Sequence, residues 1–218
     1  LANIPKNDMS DEEYMSNFKA GQQNRQGGIH NALAKSVLSP TQITHLIDHG
    51  NEGSMHDIAN RKDLSDIHIQ QLANTSNMIV HHHLLSNPEI SNDNFNTIVK
   101  KAHPENVPKI IGHAKFNETH IDNVLNKKIS KADLTPILHR FPDKLEPHHI
   151  SAIIDKGDND THRILVNRLH NKLNSTHISS LIDTKRADIH EKLLNLIPNK
   201  LEPHHIQALM DKGDETTH

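Results

Sequence analysis

Residues Leu145–His162 read LEPHHISAIIDKGDNDTH, and residues Leu201–His218 read LEPHHIQALMDKGDETTH; thirteen of these eighteen positions are identical. Unrelated helices do not share residues to that extent, so the two stretches are copies of one duplicated unit. Outward from them a looser form of the same decapeptide returns seven times. It has an apolar head, a run of capping or polar residues, an apolar residue five positions on, and an apolar pair eight and nine positions on. The heads are Leu38, Leu64, Ile90, Phe116, Leu145, Leu173 and Leu201, spaced by 26, 26, 26, 29, 28 and 28 residues. Self-similarity at periods of this size is the mark of stacked repeats rather than of one spherical core.

The offsets five, eight and nine define a single helical stripe. They are filled by Ile43, Ile69, Phe95, Ile121, Ile150, Ile178 and Ile206 at the fifth position, and by pairs such as Leu46/Ile47, Ile98/Val99 and Leu181/Ile182 beyond it. One residue past each head stands Ser39, Ser65, Ser91, Asn117, Glu146, Asn174 or Glu202, mostly good N-caps, with Pro40, Pro147 and Pro203 placed where a first turn tolerates a missing N–H. Each unit therefore opens with a short capped helix. A second helical pattern follows in segments such as Thr161–Leu169 and Ile189–Ile197, entered through turns like Asp155-Lys156-Gly157-Asp158, where glycine is expected to relieve a left-handed backbone. The expected fold is all-α: a right-handed α-solenoid of about seven helix–turn–helix repeats of 26–29 residues. Its units start at residues 38, 64, 90, 116, 145, 173 and 201, the last incomplete, after a half-repeat at Ile29–Val37.

Residues 1–28 do not follow the repeat. Ser10-Asp11-Glu12-Glu13 forms a capping box able to start one short helix through Tyr14, Phe18 and Lys19, and Gly21–Gly28 reads as a flexible polar linker, so this region is expected to be a tail. The chain opens on Leu1 and reaches His218 where a second helix is due, from which we expect a piece of a longer protein; the alternative is an open apolar seam that a partner or a second copy covers.

Only 33% of residues are hydrophobic and 2% aromatic, too few for a large spherical core but enough for thin two-helix layers. With 24 basic against 27 acidic residues, interspersed in sign, the chain lacks the basic groove that nucleic acid requires. It carries no run of 18 apolar residues and no cysteine, so neither a membrane span nor thiolate chemistry is expected. A soluble protein is implied.

Histidine is the anomaly, with 21 copies. His68, His120, His149, His177 and His205 fall just before the fifth-position apolar residue, a slot that Gln42 and Asn94 fill in two other units, and His162, His190 and His218 form a second series. The slot lies in the first turn beside the stripe and is expected to make a half-exposed polar edge with a hydrogen-bonding role. A pH-responsive ladder is the competing view. A metal site is a weaker candidate, through His45 and His49 one turn apart or through His81-His82-His83, because no third and fourth ligands are placed. Hydrolytic motifs are missing, and recurrence in unit after unit argues against the single asymmetric pocket that catalysis needs. No cofactor is expected.

The segments LEPHHISAIID (Leu145–Asp155) and LNSTHISSLID (Leu173–Asp183) resemble the short two-helix units of HEAT-like and leucine-rich-variant solenoids, above all the degenerate TxxHIxxLID arrays of large bacteriophage virion and internal proteins. The resemblance runs from Ile29 to the end. It implies a non-catalytic scaffold for protein–protein contact, set in a virion or in the infected host's cytoplasm. The alternatives are a targeting or spacer arm of a larger protein, and a histidine-based pH or metal sensor. The expected contact edge carries His68, His120, His149, His177 and His205 with Asp122, Ser151, Ser179 and Gln207.

Overall fold

A computed structural model describes residues 9–23 and 27–213, and these are all-helical apart from one isolated parallel bridge between Ala132 and Gly157. Fifteen α-helices are described: α1 (Asp11–Gln23), α2 (Gly27–Ala34), α3 (Pro40–His49), α4 (Glu52–Ala59), α5 (Asp66–Ala73), α6 (Met78–Leu84), α7 (Asn92–Lys101), α8 (Val107–Gly112), α9 (Ile121–Leu125), α10 (Thr135–Arg140), α11 (Pro147–Lys156), α12 (Asn159–Leu169), α13 (Ser175–Asp183), α14 (Ala187–Leu196) and α15 (Pro203–Gly213). They fall into two compact units that divide between Lys115 and Phe116. In the first, α3 packs on α5 and α5 on α7, while α2 packs on α4 and α4 on α6. In the second, α9, α11, α13 and α15 pack in succession, as do α10, α12 and α14. Helices opening a repeat thus touch their own kind, and helices closing a repeat touch theirs.

The stripe explains this order. Ile43, Ile69, Phe95, Ile121, Ile150 and Ile178 are all buried, together with the apolar pairs beyond them from Leu46/Ile47 to Leu181/Ile182. A helix of eight to ten residues is marginal alone, so these helices persist through the packed stripe and their caps. Ser39 accepts from the Gln42 amide, Ser91 from the Asn94 amide, Asn174 from the His177 amide at 2.9 Å, and Asp158 from the Thr161 amide at 2.8 Å.

Lysines and arginines clamp neighbouring repeats from outside. Lys172 Nζ donates to the carbonyls of Pro142 and Asp143 at 2.8 and 3.0 Å, and one repeat later Lys200 Nζ donates to those of His170 and Asn171. In the first unit Arg61 reaches Ala34 and Ser36 carbonyls, both at 2.8 Å. These cations meet the unsatisfied carbonyl ends of the preceding helix or turn, where the backbone dipole favours positive charge.

Two expectations are corrected. The turn glycine is not left-handed: Gly157 has φ −71° and ψ 156°. Its constraint is crowding, because a Cβ there would lie 2.6 Å from the Ile153 carbonyl oxygen and 2.7 Å from Thr161 Cγ2. The turn is drawn in by a bridge in which Ala132 N–H donates to Lys156 O and Asp158 N–H to Ala132 O.

The polar tail is also revised, although residues 1–8 and 24–26 lie outside the described residues. Helix α1 runs on through Gly21–Gln23, which the sequence placed in the linker, and it buries Tyr14 and Phe18 while packing on α2. Met9, also buried, stands 29 residues before Leu38, and Tyr14 and Phe18 take the fifth and ninth positions after it. Helices α1 and α2 are therefore a further helix pair of the same register. Aromatics in place of Ile and Leu disguised it.

Replacing Ile178, which is 1% exposed, with Asp puts an unpartnered carboxylate between α11, α13 and α15. A loss of about 3 kcal/mol or more is expected in urea unfolding, with an unchanged midpoint incompatible with this packing.

Candidate functional site

The histidine slot is not an exposed edge. His68, His120, His149, His177 and His205 are all buried, none more than 8% exposed. The slot is the third residue of its helix, or for His120 of the 3-10 turn Glu118–His120 that leads into α9, and the side chain turns back to the cap. Nδ1 accepts the backbone N–H of the N-cap residue: Asn117 to His120 and Glu146 to His149 at 3.0 Å, Asn174 to His177 at 3.3 Å, Glu202 to His205 at 3.0 Å, and Ser65 to His68 at 3.3 Å. This is a capping box with imidazole in the role usually held by Glu or Gln. Gln42 plays that usual role in its own unit, accepting from the Ser39 amide at 3.1 Å.

An imidazole differs from a carboxylate in having a second nitrogen on the far side of the ring. With Nδ1 accepting, the proton sits on Nε2, which donates across to the preceding repeat. His68 Nε2 donates to the Pro40 carbonyl at 3.0 Å, and His177 to the Pro147 carbonyl at 3.0 Å with Ser151 Oγ at 3.1 Å. His205 donates to the Ser175 carbonyl and Ser179 Oγ, both at 3.1 Å, and His149 to Asp122 Oδ1 at 3.0 Å. Asn94 and Gln42 make the same crossing with their amides, Asn94 to Asp66 Oδ1 at 2.9 Å and Gln42 to the Met9 carbonyl at 3.0 Å. Asp122, Ser151 and Ser179, expected beside the histidines on a contact edge, are thus the acceptors of the next repeat's ring. Gln207 at the same position bonds Asp211 on its own helix.

The second histidine series is internal as well. His162 and His190 direct Nε2 at the carbonyl eight residues back, at 2.8 and 3.0 Å, and His81, which the sequence did not place in this series, does the same at 3.1 Å, so that the closing helix is pinned to the last stripe residue of the opening one. His30 directs Nε2 at the Phe18 carbonyl at 3.3 Å, which repeats the link in the α1–α2 pair. His218 lies outside the described residues.

The proposed metal pair does not assemble a site. His45 Nδ1 meets the Tyr14 hydroxyl at 2.9 Å, and the ring stands edge-on to Phe18; His49 lies with its centroid 4.7 Å from that of His45. Burial and the neighbouring His49 hold His45 below the ordinary imidazole range, and burial pushes the Tyr14 phenol well up. Of the His81–His83 run, His81 is buried and His82 exposed. Among the described residues the three side chains whose ligand atoms converge are instead Asp122, His148 and His149, all within 4.8 Å of one another. The sequence singled out Asp122 and His149 but not His148. Its signal was the doublet His148-His149, standing 26 and 27 residues after Asp122.

Comparison with protein-family models, with curated proteins and with solved structures finds no match to this chain. Among the described residues no helix is long and apolar enough to cross a membrane.

Removing the ring at His177 strands the Asn174 N–H and breaks the link to α11, although the Pro147 carbonyl keeps its bond from Ser151 Oγ. His177→Ala is expected to cost about 2 kcal/mol in urea unfolding, and His177→Gln, which restores the side chain used at residue 42, well under half of that. Equal losses would show that the ring acts by packing alone.

Burial holds His120 and His177 below the ordinary imidazole value. The unfolded chain therefore takes up protons first as the pH falls. Stability from these rings is complete above the unfolded value near 6.5 and is lost as the pH drops from there toward the lowered folded values. The thermal midpoint is expected to be flat above about pH 7 and to fall by about pH 5.5, with a shallower slope in the His120→Gln/His177→Gln double variant.

Proposed function

We propose that this chain is a non-catalytic scaffold for protein–protein contact, an α-solenoid in which each repeat is keyed to the one before it. The observation that carries this reading is the junction itself. From α1 to α7 and again from α9 to α15, each opening helix reaches back through Gln42, His68, Asn94, His149, His177 or His205 to its predecessor. The histidines that recur in the slot are committed to these seams rather than gathered into one cleft. The resemblance to bacteriophage repeat arrays supports a setting in a large assembly.

One apolar strip is suited to such contact. Ile206 and Met210 lie one turn apart on α15 and are 43% and 64% exposed, whereas Ile178 and Ile182, their equivalents one repeat earlier, are 1% exposed. A helix presenting its own stripe would bury them as α15 buries α13. In the first unit, α1 already occupies the complementary face of α3 through the Gln42 bonds to Met9 and Asp11. Self-pairing therefore favours strip against strip, an isologous arrangement.

Sedimentation velocity over a concentration series tests this. Reversible dimerisation is expected, weakened at least about 10-fold by Ile206→Glu with Met210→Glu. A chain that stays monomeric at every concentration would remove the strip as a self-contact surface.

A further inference from the structure

The geometry points to a divalent transition-metal site of the zinc, nickel or copper class on the surface between α9 and α11, with His148 Nε2 and the Asp122 carboxylate as direct ligands and Glu146 and His149 as the groups that orient them. This site is independent of the scaffold reading.

The four side chains have distinct tasks. His148 lies 3.1 Å from Asp122 Oδ1 through Nε2, while its Nδ1 lies 3.5 Å from Glu146 Oε2. An imidazole whose far nitrogen faces a carboxylate is the arrangement that fixes the tautomer and raises ligand basicity at metal centres. His149 lies equally close to Asp122, at 3.0 Å, and its ring centroid is 3.9 Å from that of His148. It cannot serve in the same way. Its Nδ1 is taken by the Glu146 amide, which obliges Nε2 to keep its proton. His149 therefore donates to the carboxylate and holds it in place, leaving the other lone pairs of Asp122 and the Nε2 of His148 to the cation. In the tautomer that Glu146 fixes, with the proton on Nδ1, the Nε2 lone pair binds the cation directly and no proton need leave the ring. Imidazole with a single carboxylate suits zinc, nickel or copper rather than calcium or magnesium. His148 and Asp122 are 60% and 62% exposed, so the remaining coordination positions open to water or to a donor from another molecule.

The chain supplies its own control. Two repeats on, His204 and His205 repeat the doublet with rings 3.9 Å apart and Glu202 3.5 Å from His204 Nδ1. There, however, the residue facing His205 is Ser179, at 3.1 Å, and no carboxylate takes the place of Asp122. The doublet alone is thus present at both places, and the complete set only at one.

Zinc chloride titrated into the chain, followed by nitrogen-15 spectra of the imidazoles, resolves the sites. His148 is expected to respond first and to saturate at one equivalent. His148→Ala or Asp122→Asn should weaken that site by at least about 10-fold, and Glu146→Ala by about 10-fold, as outer partners do, whereas His204→Ala should leave it unchanged. Circular dichroism of these variants should match the parent, since His148 and Asp122 are exposed. Zinc affinity that survives His148→Ala, or a response of His204 or His49 at the same concentration as His148, would overturn the site and leave adventitious histidine binding only.

Discussion

A single imidazole, held by its two nitrogens between the N-cap of its own helix and the opening helix of the previous repeat, is the interaction on which this structure turns. Helix ends leave amides without partners, and short helices have proportionally more of them. Joining two repeats also buries main-chain carbonyls that need donors. In the seams at His68, His177 and His205 one ring answers both needs. Gln42 meets both with its amide and Asn94 makes the crossing with its own, whereas a carboxylate has no donor to offer the preceding repeat. The seam requires an acceptor on one side and a donor on the other.

That requirement explains why the histidine content carries a different meaning from the one it first suggests. Rings between two fixed partners are held as one neutral tautomer, and a second proton would set N–H against N–H at the cap. The lowered values at His120 and His177 follow from burial in this position. Acid is therefore expected to loosen the joints at His120 and His177. Lys172, Lys200 and Arg61 clamp neighbouring repeats by a different principle, cationic donors on main-chain carbonyls.

Most of the helical framework was legible from periodicity. The stripe residues from Ile43 to Ile182 pack inward as spaced, and Ser39, Ser65, Asn117 and Asn174 cap as their types suggest. The α1–α2 pair escaped because Tyr14 and Phe18 stand where the pattern asked for aliphatics and because Gly21 and the Gln pair look like linker. The burial of the slot escaped for a chemical reason: polarity read residue by residue cannot reveal that both ring nitrogens find partners at once. The cluster at His148 required knowing that Asp122 lies opposite it, and only packing of α9 on α11 brings them together.

The acceptors for His68 and His177 include main-chain oxygens, those of Pro40 and Pro147, and a main-chain oxygen is supplied by any residue. A repeat joined in this way asks little of its neighbour's identity beyond an apolar stripe in register. Whole units can be copied, deleted or moved by recombination within the gene and still find a seam waiting. The near-identity of Leu145–His162 and Leu201–His218, with a divergent unit between them, is the trace such an exchange leaves. A chain lengthened or shortened by one whole repeat is then expected to keep the same joint.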